Sequence, residues 1–434
     1  MGSGRLRQIV SYGAKVFHLR QLFQQLRDGR RRARAKTEEV AAAVFFAGLL
    51  RVPSFNALEP RLSEKPFLWL VGAIDRVRKL CSADTLGRVM RVMDLPTVRQ
   101  LSVALLAQAE RNKVFREGWH MAMRYVAIDG WEPVQSWSRH CEGCLVRRVK
   151  VKDRKGELHE IEQYYHRYVV AMLIGDRYDL MLDVEPVLPY DLRPEGAARD
   201  HEDEGELTAA KRLLPRVKET FAWLDVVVAD GLYANGPFLT VVKELRMGAV
   251  VIARKEGDEP LTEARRIWAN KPAEQVIEDG EKAERLELWD CPGLETLTSY
   301  QGPIRMVLGR LTSLDRPEAP ARDWCVAVTG AATRLSARQV VAVARGRWHI
   351  ENTGFHQWSK YWSLTHVFTH HPKGILSLYW LFFAAYNLLT LFLYRQLRCY
   401  GRDRGRDVTR TIRRLVEEMR DDLARLNRPV WDSS

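Results

Sequence analysis

Three acidic residues sit in local settings that could do phosphoryl-transfer chemistry. Asp129 ends the apolar run Val126-Ala-Ile-Asp, and Asp230 ends Val226-Val-Val-Ala-Asp; a glycine follows each. Glu351 lies in Arg347-Trp-His-Ile-Glu-Asn, within a stretch of helical periodicity. A carboxylate at the tip of a buried strand is desolvated unless positive charge stands beside it. Two such strand tips and a helix-borne glutamate match the hard-oxygen ligands that flank two cations about 4 Å apart in phosphoryl transfer. Arg347 lies four residues before Glu351 and shares its helical face. It could neutralise the glutamate or hold a phosphate beside the metals. Each acid alone has an ordinary alternative: Asp-Gly after a strand is common turn chemistry, and Arg347 with Glu351 could be a plain helix ion pair. Their combination points to a metal-dependent enzyme acting on polynucleotide phosphodiesters.

These residues need a scaffold, and the chain is long enough for one. Its 434 residues allow two or three domains, and 46% hydrophobic with 28% charged residues fits a globular protein. Basic residues number 68 against 55 acidic, a net charge of +13 that suits a polyanionic partner such as a phosphate backbone. Six cysteines are too sparse for a disulfide framework. The opening Met-Gly-Ser-Gly-Arg-Leu-Arg has no apolar signal core, so a cytoplasmic, nucleoid-associated location is expected. Residues 375–394 are about long enough to span a bilayer, yet contain Ser377, Asn387 and Thr390. A buried core helix is expected there, and no membrane partner.

Residues 1–120 read as helical: Leu6, Val10, Ala14, Phe17, Leu22 and Leu26 recur at near-helical spacing, and Thr37 is placed to cap a helix over 40–50. A helix after Ser82 carries Arg88 and Arg91, which could enter a DNA groove or form a solvated face. From residue 120 strands are expected at 124–128, 168–174, 178–187, 225–230 and 249–253, with helices over 202–224 and 237–245. Residues 254–330 read as a β-rich insertion, a small sheet or twisted hairpins. Ser336 is expected to cap a long helix through Glu351 to about Trp362, in which Phe355, Trp358 and Trp362 would dock on the sheet. A basic amphipathic helix, with Val408, Ile412, Leu415, Met419, Leu423 and Leu426 on one stripe, closes the chain over 396–434.

With these segments in place, Val126-Ala-Ile-Asp-Gly, Val228-Ala-Asp-Gly-Leu-Tyr and Arg347-Trp-His-Ile-Glu-Asn-Thr-Gly-Phe resemble the motifs of DDE-type insertion-sequence transposases. The likeness is to the branch with a β-rich insertion between the second Asp and the Glu. It implies an α/β fold with a ribonuclease H-like catalytic core over 121–253 and 331–395. An all-α DNA-binding region at 1–120 and the insertion at 254–330, before the catalytic Glu helix, would complete it. By position, Asp129, Asp230 and Glu351 would bind two Mg²⁺ or Mn²⁺ ions for cleavage at transposon ends and transfer of the 3′-OH into target DNA. The implied partners are double-stranded terminal inverted repeats and target DNA, with a homodimer across paired ends. A relative that only binds DNA is the alternative. Of the family's Tyr–Arg–Glu–Lys signature, Arg347 and Glu351 fit; Ala344 and Trp358 stand where Tyr and Lys are expected, and Lys360 lies two residues on. Trp289 resembles the insertion aromatic that stacks on a flipped base, although a tryptophan packing the small sheet would read the same.

His140-Cys141-Glu-Gly-Cys144 has the spacing of half a tetrahedral zinc site. His140 and His166 are candidates to complete a structural Zn²⁺ site, with His159 or a remote ligand as alternatives, and a pair of free thiols as the simpler reading. His366, His370 and His371 also cluster, without the glutamate of a helical zinc protease. Neither a Walker-type phosphate loop nor a dinucleotide fingerprint is present, which argues against NTP-driven or nicotinamide chemistry.

Overall fold

The computed structural model describes residues 4–116, 118–152, 156–175, 178–193, 203–253, 259–397 and 407–431, with the last segment's side chains from residue 411. Residue 202, the start of the helix expected over 202–224, Cys399, one of the six cysteines, and the Val408 side chain lie outside the described residues. The described strands are β1 (Tyr125–Ser136), β2 (Leu145–Lys152), β3 (Leu158–Ile174), β4 (Leu180–Pro186), β5 (Val226–Ala229), β6 (Gly248–Ile252), β7 (Gln275–Asp279), β8 (Glu284–Leu294), β9 (Ile304–Ser313) and β10 (Arg322–Thr329). They form one mixed sheet in the order β2-β3-β1-β5-β6-β10-β9-β8-β7, and β4 also pairs with β3. β2 and β4 follow one another along the edge of β3 that faces away from β1.

The centre of the sheet is parallel: β1 pairs with β5 and β5 with β6. Every residue of β5 and β6 is buried, which explains their unbroken Val/Ala/Ile runs, since parallel strands are covered on both faces. The helices Glu206–Thr220 and Gly236–Glu244 precede and follow β5. β1 does not stop at Asp129 as expected. It continues to Ser136 by pairing with a β3 longer than its apolar part, with a register shift between Trp131 and Val134. Polar residues there gave no apolar signal, because one face of this extension meets solvent.

The β-rich stretch is expected as a small sheet or twisted hairpins. Its four strands instead extend the central one: β10 pairs antiparallel with β6, Val326 opposite Ile252. This pairing covers the β6 edge, which would otherwise present unpaired backbone groups. A helix at Glu259–Trp268, not expected from sequence, packs Leu261, Ala264 and Trp268 inward beside these strands. Ser336 caps the helix Ala337–Gly346 in a reciprocal pair with Gln339. Thr37 proves to be the first residue of the helix Thr37–Leu49 rather than its cap, and its hydroxyl donates to Asp28 at 2.7 Å.

The N-terminal helices Arg5–Phe17, Thr37–Leu49, Ala83–Val92 and Leu95–Arg111 share one core with the sheet. Between them runs the helix Pro372–Leu391, packed against the helices Thr37–Leu49, Ala83–Val92 and Leu95–Arg111 and against β4. Residues Pro372–Gln396 are long and apolar enough to cross a membrane, and 89% of their most apolar stretch is buried inside the protein. Buried Asn387 is the reason this helix is not uniformly apolar. Its amide donates to the Met181 carbonyl at 2.8 Å and its oxygen accepts from the Met181 N–H at 2.9 Å, so it pairs the outer edge of β4. An unmade hydrogen bond at a buried backbone group costs about 1–3 kcal/mol. Asn387→Leu orphans both Met181 groups, and chemical denaturation should show a stability loss of about 2–5 kcal/mol; a loss below the effect of an ordinary surface substitution would contradict this role.

Candidate active site

β1 and β5 run side by side with Ala127 opposite Val228. Two further residues along the same register bring Asp129 beside Asp230, at a strand spacing of about 4.8 Å and on the same face of the pleat. β5 ends at Ala229, so Asp230 stands where the strand gives way to a turn. One of its oxygens caps that turn, accepting from the Leu232 N–H at 2.9 Å. Asp129 likewise uses one oxygen locally, accepting from the Gly130 N–H at 2.9 Å.

Glu351 arrives from the far side of the sequence. The chain from Ala337 is helical to Tyr361 with a bend at Arg347 and a π-helical turn over Ile350–Phe355. Single π turns inside helices recur at functional sites because they re-aim side chains. Two clamps hold this segment. On one side Asp179, buried, faces His349 Nδ1 at 3.2 Å and accepts from Thr353 Oγ1 at 2.7 Å. On the other, Phe355 stacks on Trp131 of β1 at 5.9 Å between ring centres, 12° from parallel. Trp358 and Trp362 are buried, so the expected docking stripe is present.

Arg347 joins the pieces. Its guanidinium donates to Asp129 Oδ2 and to Glu351 Oε1, both at 2.6 Å. It is 4% exposed and therefore contributes its charge in a poorly screened place. Even so, the Asp129 carboxyl is pushed up to about 7, first by burial and then by the negative charges of Asp230, Glu351 and Glu206; Arg347 opposes them without outweighing them. Asp129 and Glu351 thus meet on one guanidinium, and Asp230 lies near enough for its charge to act on Asp129.

Glu206 is a fourth acid that sequence reasoning missed. It opens the helix Glu206–Thr220, where an acidic residue is unremarkable. Its carboxylate abuts the backbone of Gly130: a Cβ placed there would lie 2.1 Å from Glu206 Oε2. Tyr233 donates to its other oxygen at 2.8 Å. Burial, with Asp230 nearby, raises its pKa. An Arg212–Glu185–Glu204 and Arg216–Asp183–Glu185 ion-pair network fixes the same helix to β4.

The other expected contacts divide. Lys360 is exposed, with its ammonium over the Tyr361 ring, beside Arg51, Arg413 and Arg420. Trp289, on β8, is half-buried; its indole donates to the Lys271 carbonyl and Arg310 lies over its ring. Five strand spacings separate β8 from β1, on the order of 20 Å. Trp348, directly after Arg347, is instead 60% exposed; its position in the glutamate motif was the signal that could have marked it. Arg88 and Arg91 are both exposed on the helix Ala83–Val92; Arg91 also donates to Thr369 at 3.4 Å. Cys141, Cys144 and His166 come together, but His140 does not join them: it is exposed and stacks on Tyr164, and His370 stands in the place expected for it.

The raised Asp129 pKa has a thermodynamic consequence in metal-free buffer. Between about pH 4 and pH 7 the folded chain keeps a proton that the unfolded chain has released. Unfolding free energy therefore falls as pH rises through this window, by at most about 1.4 kcal/mol per pH unit from this group. Asp129→Asn should flatten that slope in denaturation run in EDTA; identical slopes for the two chains would assign it elsewhere.

Residues 180–388 match the family model of the transposase DDE domain. The matched stretch includes Asp230, Arg347 and Glu351 and begins after Asp129, which the Arg347 contact and the strand register bring to the same place. No curated protein matches the chain significantly. Over residues 180–388 the chain is thus similar to the transposase DDE domain, a likeness that supports a DDE-type transposase.

Proposed function

We propose that the protein is a DNA transposase that cleaves transposon ends and joins the freed 3′-OH to target DNA, with Asp129, Asp230 and Glu351 as its catalytic acids. The single observation that carries this reading is Arg347 bridging Asp129 to Glu351 while the strand register sets Asp230 beside Asp129. A ribonuclease H-like core is supported by the strand sequence β4-β3-β1-β5-β6, antiparallel around β3 and parallel from β1 to β6. The net charge of +13 supports double-stranded DNA as partner. One site per chain and two ends per element support a dimer in the DNA complex.

The donor set fits a hard divalent cation such as Mg²⁺ or Mn²⁺, because converging carboxylates offer only oxygen. When bound there, such ions supply Lewis-acid activation of the attacking oxygen and neutralise charge on the phosphate. The chain's own residues do the remaining work. Asp129 must give up its proton to serve as a ligand, so protons compete with a cation for this carboxylate. Arg347, relieved of neutralising the carboxylates, can turn its paired N–H groups to the scissile phosphate. Trp348 offers an exposed ring beside it for an unstacked base. Arg88 on its helix, and Lys360 with its basic neighbours, are placed to meet the DNA backbone.

The test uses DNA flanking the protein's own gene, with nicking and binding measured in parallel. Asp129→Asn, Asp230→Asn and Glu351→Gln should each lower Mg²⁺-dependent nicking about a thousandfold or more, since the metals contribute several kcal/mol to the transition state. End binding should remain; undiminished nicking would refute the metal role. Stacking contributes about 1–3 kcal/mol per base, so Trp348→Ala should reduce nicking roughly tenfold. Trp289→Ala, assayed beside it, should act mainly on stability; the reverse order would move the stacking role to β8.

A further inference from the structure

Away from the acids, three remote pieces of chain bring soft ligands together. Cys141 and Cys144 lie in the turn between β1 and β2, His166 lies on β3, and His370 precedes the helix Pro372–Leu391. Their ligand atoms all fall within 4.8 Å of one another. The two sulfurs are 3.8 Å apart, His166 Nε2 is 3.4 Å from each, and His370 Nε2 is 3.3 Å from Cys144 Sγ. A tetrahedral zinc ion with ordinary bond lengths has edges of about 3.8 Å between sulfurs and about 3.6 Å between sulfur and nitrogen. Both cysteines are free thiols.

The surroundings are built to hold this arrangement. The Cys141 N–H points at Cys144 Sγ at 3.3 Å, and the Cys144 N–H closes the turn on the Cys141 carbonyl at 3.0 Å. Backbone donors to a ligand sulfur are the usual outer support of such a site. Gly143 lets the turn seat against the start of the core helix: a Cβ there would fall 2.7 Å from Pro372 Cβ. His166 is 4% exposed and Cys144 7% exposed. Two thiolates and two neutral imidazoles would leave a bound Zn²⁺ with no net charge, which suits this burial.

We infer that Cys141, Cys144, His166 and His370 form a structural Zn²⁺ site that clasps the β1–β2–β3 extension to the segment linking the Glu351 helix to the core helix. The four ligands leave no open coordination position, so the ion braces and takes no part in phosphoryl transfer. Its place explains a local puzzle of the fold. Residues 363–371 contain no helix or strand, yet they connect the two helices that set the position of Glu351.

The full-length protein, purified without chelator, tests this by metal analysis, a readout that does not depend on nicking. Wild type and His140→Ala should carry one zinc per chain, while Cys144→Ser and His370→Ala fall close to zero. Since these two could fail by misfolding, Co²⁺ exchanged into the wild type gives a second measurement: tetrahedral thiolate-coordinated Co²⁺ has a characteristic visible spectrum. A wild type without zinc, an octahedral Co²⁺ spectrum, or full zinc retention by His370→Ala would each overturn the site. Because nicking plays no part in these readouts, loss of this inference leaves the catalytic reading standing, and the converse holds equally.

Discussion

The structure is organised around the difficulty of gathering negative charge in a buried place. Two unit charges 4 Å apart repel by about 4 kcal/mol at an effective dielectric of 20. Asp129 feels the charges of Asp230, Glu351 and Glu206 in a largely buried place, although the Glu351 side chain is itself 41% exposed; burial first, then these charges, push the Asp129 carboxyl up to about 7 against the pull of Arg347. A fold selected for stability alone would avoid this arrangement. Its persistence requires that the rest of the molecule hold the acids in place against their repulsion, and a divalent cation is the ligand that would relieve it.

That holding is distributed over rigid elements. The pairing of β1 with β5 ends just before the aspartates; Asp129 is then held by β3, opposite Val170, and Asp230 by the turn it caps. The glutamate is more exposed to misplacement, since it comes from a helix with a π turn at the decisive point. Asp179 fixes one face of that helix through His349 and Thr353, and the stack of Phe355 on Trp131 fixes the other. The second contact runs through β1 itself, so one strand positions both Asp129 and the helix that brings Glu351. Placement at strand ends and on a doubly braced helix gives the precision that a site of converging carboxylates demands.

What could be read from the sequence follows from the range of each interaction. The buried strands around Asp129 and Asp230 announced themselves by apolar runs ending in Asp-Gly. The Glu351 helix did so through its apolar stripe and the arginine one turn before. Local pattern could not show that β1 continues to Ser136, because that extension is held by pairing with β3 and not by its own hydrophobicity. Glu206 was hidden in the common acidic start of a helix, and only the sheet brings it to Gly130. His370 lies 226 residues from Cys144, and His140, adjacent in sequence, was the natural but mistaken choice. Asp179 was silent for the same reason: its partners are 170 and 174 residues away.

The apolar helix Pro372–Leu391 shows how misleading composition can be when read without partners. By length and hydropathy it could cross a membrane, but it is surrounded by the N-terminal helices and by Trp131 and Trp358, which meet its own Phe383. A lipid-facing helix would have no use for Asn387 in its last turns. Here the amide completes the hydrogen bonding of β4, a strand whose outer edge no other described strand covers at Met181. The polar residue that weakened the membrane reading of the sequence is thus the one that ties this helix to the sheet. The same helix links the N-terminal helices to the layer on which Glu351 docks, so the two regions share a single core.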